Sequence, residues 1–165
     1  MPETSRLALL LALTLAAVPL AAKPRVADSM GDFSAFSAGA PQSGLAAKTV
    51  TVTAKGKTHS YRVELAQSPQ QQAIGMMYRK TMKPGTGMLF PMKPARPTSF
   101  YMRNTYVPLD IIFIGPDNRV LNIGADATPL SEALVSSAGP ISAVLELAAG
   151  EAKRIGLMPG DTVRW

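Results

Sequence analysis

Residues Thr49–Ala66 read TVTVTAKGKTHSYRVELA, two segments in which polar and apolar side chains alternate. Alternation with a period of two is typical of a strand that buries one face. Lys55-Gly56-Lys57 separates the two segments and supplies turn residues, so we predict a β-hairpin. In its second strand, His59 lies on the same face as Tyr61.

The sequence after this hairpin predicts further short strands and two small helices. Ser68-Pro69-Gln70-Gln71 contains the residues of a capping box and predicts a helix that ends near Tyr78. We expect an α+β fold, mainly β, with a small curled or barrel-like mixed sheet. The other predicted elements are a helix at Glu151–Ile155 and strands at Met88–Phe90, Thr98–Met102, Ile111–Ile114, Arg119–Ile123, Ser142–Leu147 and Thr162–Trp165.

The N-terminal residues predict export. Met1–Arg6 carries one cation, and Leu7–Ala22 is an uncharged apolar run interrupted by Pro19. A membrane-spanning helix needs roughly 20 apolar residues, so a signal peptide over residues 1–22 fits better than an uncleaved anchor. We predict cleavage near Ala22 and a periplasmic or secreted chain without a membrane span. A flexible linker over residues 23–47 would then precede a single β-rich domain over residues 48–165.

Composition and charge narrow the range of functions. The chain has no cysteine and one histidine, which excludes disulfides, thiolate metal sites and multi-histidine metal sites. The net charge is +6, and Lys48–Arg103 contains ten cations and a single anion. This basic half predicts attraction to a small anionic ligand or an acidic envelope polymer, although a solvated surface is the alternative. Nucleic acid is not expected as a partner, because no recognised binding module is present.

Five segments resemble a known family. They are GMMYR at Gly75–Arg79, GMLF at Gly87–Phe90, SFYMRNTYVPLDIIFI at Ser99–Ile114, VLEL at Val144–Leu147, and the GL-x-PGD-x-V ending at Gly156–Val163. Together they resemble the domain of unknown function 192 family, from about Val50 to the C-terminus. The resemblance implies a compact, β-rich, barrel-like domain that is often exported, and it implies no activity. Family members often carry an aromatic residue where this chain has Glu151; if that aromatic residue lines a pocket, the pocket is more polar here.

Polar residues between apolar strands form the candidate ligand-binding site. Asn104 and Asp110 lie in the loop before an apolar strand, where they can bind either a ligand or the loop's own amides. Glu146 points to the opposite face from Leu145 and Leu147, which is either solvent or the inside of a curled sheet. The complete candidate set is Arg79, Arg103, Asn104, Thr105, Asp110 and Glu146.

Three functions are compatible with these residues. The first is a non-catalytic binding or accessory module of the cell envelope. The second is a hydrolase of an envelope glycan or ester that uses Asp110 and Glu146 as acid and base. The third is Cu(I) binding by thioether sulfur with His59, for which core packing of the methionines is the alternative. No cofactor is expected, and the residues do not decide whether the protein is an enzyme. The methionines concerned are Met76, Met77, Met82, Met88, Met92 and Met102.

Overall fold

The computed structural model describes residues 39–165, and the predicted signal peptide lies outside them. The described chain is α+β and mainly β, as predicted, with nine strands and two short helices. Neither of these helices is long and apolar enough to cross a membrane. The elements in chain order are β1 Ala47–Ala54, β2 Lys57–Leu65, α1 Pro69–Ile74, β3 Thr86–Arg96, β4 Ser99–Phe100, β5 Leu109–Ile114, β6 Val120–Ala127, β7 Val135–Ser136, β8 Ile141–Ala148, α2 Glu151–Ile155 and β9 Thr162–Arg164.

Seven strands form one mixed sheet in the order β6-β5-β8-β3-β2-β1-β9. The β2–β3 pair is parallel and the other pairs are antiparallel. β4 and β7 form a separate two-stranded ribbon. A single bridge between Arg119 and Thr162 connects the two ends of the large sheet. The sheet is therefore strongly curled without being closed by a continuous ladder.

The central strands of this sheet are buried on both faces. Leu145 and Leu147 of β8 belong to one apolar cluster, with Val50, Val52 and Val63. Val144 belongs to a second cluster on the other face, which also contains Phe90 and Phe113. This arrangement explains why β5 is apolar at every position but one, since burial on both faces removes the alternation of an exposed strand. Each large apolar side chain buried in this way contributes about 1.5–3 kcal/mol.

The first helix begins where the capping residues predict but ends earlier. The Gln71 backbone N–H donates to Ser68 Oγ at 3.1 Å, and Ser68 N–H donates to Gln71 Oε1 at 2.9 Å. The predicted extension to Tyr78 is wrong, because α1 ends at Ile74 and Gly75 follows with a φ of 50°. A Cβ at Gly75 would lie 3.3 Å from the Phe90 ring, so the chain turns at a position suited to glycine.

The last residues of the predicted linker contact the domain. Gln42 Nε2 donates to the carbonyl oxygens of Gln71 and Gly75, at 3.0 Å and 2.8 Å. Leu45 packs against the second cluster. These contacts attach the segment before β1 to the end of α1.

Candidate functional site

The strand register places Asp110 and Glu146 on opposite faces of the sheet. Asp110 pairs with Leu147, and Ile111 pairs with Glu146. Directly opposed residues of an antiparallel pair share a face. Leu147 belongs to the first cluster and Ile111 to the second. The carboxyl pair expected for a hydrolase is therefore wrong, because its two members are separated by the sheet.

Asp110 binds backbone amides. Its Oδ1 accepts from Asp126 N–H at 2.9 Å, and its Oδ2 accepts from Ala152 N–H at 2.8 Å. Ala152 is in the first turn of α2, where the N-cap residue Gly150 provides no side-chain cap. Asp110 thus supplies from a neighbouring strand the acceptor that a helix N-terminus needs. The geometry thus supports a structural role for Asp110, although the amides it binds belong to β6 and α2 and not to its own loop.

Asn104 and Arg103 form contacts that stabilise the loop after β4. Asn104 has a φ of 55°, its Nδ2 donates to Tyr78 Oη at 3.0 Å, and its carbonyl accepts from Tyr78 N–H at 2.7 Å. Arg103 is exposed, with its Nε 3.0 Å from Glu132 Oε1 and its guanidinium 5.2 Å from the centre of the Tyr101 ring.

A cavity of about 330 Å³ lies on the second face of the sheet, beside α1 and β4. Small-molecule sites typically have volumes of roughly 300–1,000 Å³ and mostly apolar walls. Glu146 and Thr105 are the members of the predicted set that line it, both buried. Sequence reasoning missed its aromatic wall, in which the Phe90 and Phe100 rings meet edge to face at 5.2 Å. The other residues on its wall include Gln72, Ala73, Met76, Met77, Met92, Arg96, Thr98, Ser99 and Tyr101.

Glu146 is the buried ionisable group of this cavity. Its side chain is 5% exposed, and its Oε2 has no hydrogen-bond partner among the described residues. Burial raises the pKa of Glu146 to about 8, and the nearby charge of Arg79 opposes the rise. At pH 7 roughly nine in ten of these carboxyl groups therefore carry a proton. Such a group can donate a hydrogen bond when neutral or bind a cation when ionised.

Arg79 lies outside this cavity. Its Nη1 forms an ion pair with Glu64, and its Nη2 donates to the Gln42 carbonyl at 3.3 Å. Its Nε is buried without a partner among the described residues. Arg79 lines a second cavity of about 300 Å³, with Arg62 and Lys83 on its wall. The candidate residues thus fall into three groups. Glu146 and Thr105 line the first cavity, and Arg79 lines the second, basic cavity. Arg103, Asn104 and Asp110 make contacts within the fold.

The methionines lie mainly in the core. Met76, Met88, Met92 and Met102 are buried in the second cluster, which supports the packing alternative. His59 pairs with Val52, which belongs to the first cluster, so His59 and these methionines lie on different faces. The expected combination of His59 with these sulfur atoms is therefore wrong. Residues 39–165 contain no group of three or more His, Cys, Asp or Glu that could hold a metal ion.

The curled sheet and its apolar cavity define a small β-rich domain with a site of ligand size. The family model of domain of unknown function 192, described as "Uncharacterized ACR", matches residues 50–165. The chain belongs to this family.

Solved structures are similar over most of this domain. A protein of unknown function from Novosphingobium aromaticivorans is 47% identical, with a TM-score of 0.74, over 76% of this chain and 89% of that one. A protein from Sinorhizobium meliloti, titled "putative transcription regulator", is 43% identical, with a TM-score of 0.72, over 74% of this chain and 96% of that one. None of the curated proteins matches this sequence.

Proposed function

We propose that this domain is a small-molecule binding module whose site is the Glu146 cavity. The observation that carries the proposal is the buried carboxyl group of Glu146 on the wall of a largely apolar cavity, whose Oε2 has no hydrogen-bond partner among the described residues. A buried polar atom without a partner costs about 1–3 kcal/mol. A ligand that hydrogen-bonds to Glu146 would recover this free energy, while its apolar part would pack against the aromatic wall.

Occlusion of the cavity tests this proposal. Ala73 lies on α1, is exposed and lines the cavity, so Ala73→Phe should fill the space without removing core contacts. Ala133→Phe is the matched control at an exposed position away from the lining. The wild-type domain would be screened by thermal shift against apolar fragments with one polar group. A ligand at 100 times its dissociation constant adds about 2.7 kcal/mol and should raise the midpoint by several degrees.

The expected result is a set of hits that Ala73→Phe abolishes and Ala133→Phe retains. Hits that both variants retain would place binding elsewhere and contradict the proposal. The absence of any hit across a screen that covers neutral, cationic and anionic fragments would contradict it as well.

A second candidate function is binding of an acidic polymer or small anion at the basic cavity. Arg62 and Lys83 are exposed on its wall, and Arg79 has a buried Nε without a partner among the described residues. Poly-L-glutamate binding would be measured for the wild type and for the double variant Arg62→Glu with Lys83→Glu. Lys153→Glu, an exposed lysine outside this cavity, is the control. Equal binding by all three proteins would contradict this candidate.

We also propose that the chain acts outside the cytoplasm, supported by the charge and apolar pattern of residues 1–22. Expression of the full chain in a Gram-negative host, followed by fractionation and N-terminal sequencing, tests this. A periplasmic product that starts at Lys23 is expected. An uncleaved product in the membrane fraction would identify an anchor instead, and an uncleaved cytoplasmic product would contradict export.

A further inference from the structure

Three polar side chains that line the Glu146 cavity, those of Gln72, Thr98 and Thr105, donate their hydrogen bonds to backbone carbonyls. Gln72 Nε2 donates to the carbonyl oxygens of Ala66 and Pro91, at 3.1 Å and 2.8 Å. Thr105 Oγ1 donates to a backbone carbonyl at 3.3 Å, and Thr98 Oγ1 does so at 3.4 Å. The unused capacity of these three side chains is therefore acceptor capacity. A ligand whose polar group only accepts hydrogen bonds would find few partners among them.

The apolar wall adds surfaces that attract positive charge. Phe90, Phe100 and Tyr101 line the cavity, and the π face of an aromatic ring carries partial negative charge. Met76, Met77 and Met92 add polarisable thioether sulfur. Packing of a cation against such rings is a common way in which proteins recognise ammonium groups.

Few charged side chains lie close to Glu146, and those that do are held at the edge of the cavity or outside it. On β3 and β5 its register neighbours are Met88 and Ile111, which do not titrate. Arg79 acts on Glu146 from outside the cavity, where it is paired with Glu64. At the mouth lie Arg96 and Tyr101, both exposed.

We infer that the cavity binds an organic cation, an ammonium group on a short apolar chain, whose charge meets the ionised carboxylate of Glu146. This inference rests on the proposed small-molecule site and names the chemical class of its ligand. It replaces, for this cavity, the anionic ligand expected from the basic half of the sequence.

Binding of a cation should release a proton from Glu146. Because burial raises the pKa of this carboxyl to about 8, half of the free protein is ionised at pH 8 and about 1% at pH 6. A quaternary ammonium does not titrate, so its affinity follows the ionised fraction alone. We expect its dissociation constant to be about 50-fold higher at pH 6 than at pH 8.

Choline and 3,3-dimethylbutan-1-ol form a matched pair of probes, since they have the same shape and only choline is charged. Isothermal titration calorimetry would measure both at pH 6 and pH 8, in two buffers of different ionisation enthalpy. We expect choline to bind at least tenfold more tightly than the alcohol at pH 8 and to release close to one proton at pH 6. Glu146→Gln should abolish the preference for choline, its pH dependence and the proton release, while the alcohol still binds. Glu132→Gln, on the exposed surface, is the control and should behave like the wild type.

Two results would overturn the inference. One is equal binding of both probes to the wild type, which would leave the small-molecule site intact and exclude the cation as its ligand class. The other is no binding of choline at pH 8, after which the occlusion screen at Ala73 decides the proposed site independently. If Glu146→Gln fails to fold, the pH dependence of choline binding and the proton release of the wild type still test the inference.

Discussion

Glu146→Gln should change how the stability of the domain depends on pH. Burial raises the pKa of Glu146 from 4.5 to about 8 in the folded protein. Below pH 4.5 the carboxyl is protonated in both states and does not oppose folding. Between pH 4.5 and pH 8 the unfolded chain loses the proton and the folded chain retains it, so stability falls as pH rises. At about 1.4 kcal/mol per pH unit, this loss is on the order of 5 kcal/mol by pH 8.

Glutamine has the shape of the protonated acid and does not ionise. The variant should therefore match the wild type to within a constant offset at pH 5 and exceed it in stability by several kcal/mol at pH 8. Urea unfolding at pH 5, 6, 7 and 8 measures both proteins, and the difference between them cancels the titration of all other groups. Glu132→Gln provides the control on an exposed carboxylate. A difference between Glu146→Gln and the wild type that stays constant from pH 5 to pH 8 would refute the reasoning.

Two further predictions concern the fold. Asp110→Ala leaves the buried Ala152 N–H and the Asp126 N–H without their acceptor. The substitution should therefore lower the free energy of unfolding, measured in urea, by about 2–4 kcal/mol. A loss below about 0.5 kcal/mol would contradict the structural role of Asp110. Ser68→Ala removes the N-cap of α1 and should cost about 1 kcal/mol in the same assay, with no loss contradicting the capping box.

Local patterns were sufficient to predict most of the elements. Alternation predicted the hairpin of β1 and β2, and the capping residues predicted the start of α1. The Val135–Ser136 strand was not predicted, because a two-residue strand has no measurable period and exists through its pairing with β4. The early end of α1 depends on the contact between Gly75 and Phe90, which are distant in sequence.

The candidate site was harder to predict for a different reason. Alternation within β8 correctly set Glu146 apart from Leu145 and Leu147, but the face it occupies depends on what covers the sheet. The loop position of Asp110 left open both a ligand and a structural role, and its contact with α2 depends on residues distant in sequence. The aromatic wall of the cavity consists of apolar residues, and nothing in the sequence distinguishes them from ordinary core residues.

The position of the cavity follows from a mismatch between α1 and the sheet. A six-residue helix is about 9 Å long, whereas the eleven residues of β3 extend over roughly 36 Å. The helix therefore covers only part of the second face, where Phe100 and Met102 from outside the large sheet also pack. An apolar residue at position 146 would continue the alternation of β8 and join this cluster at no electrostatic cost. A carboxyl group at that point destabilises the fold above pH 5, as the shift of its pKa requires. Folding does not explain such a residue, and the proposed binding of a ligand at the cavity that it lines would do so.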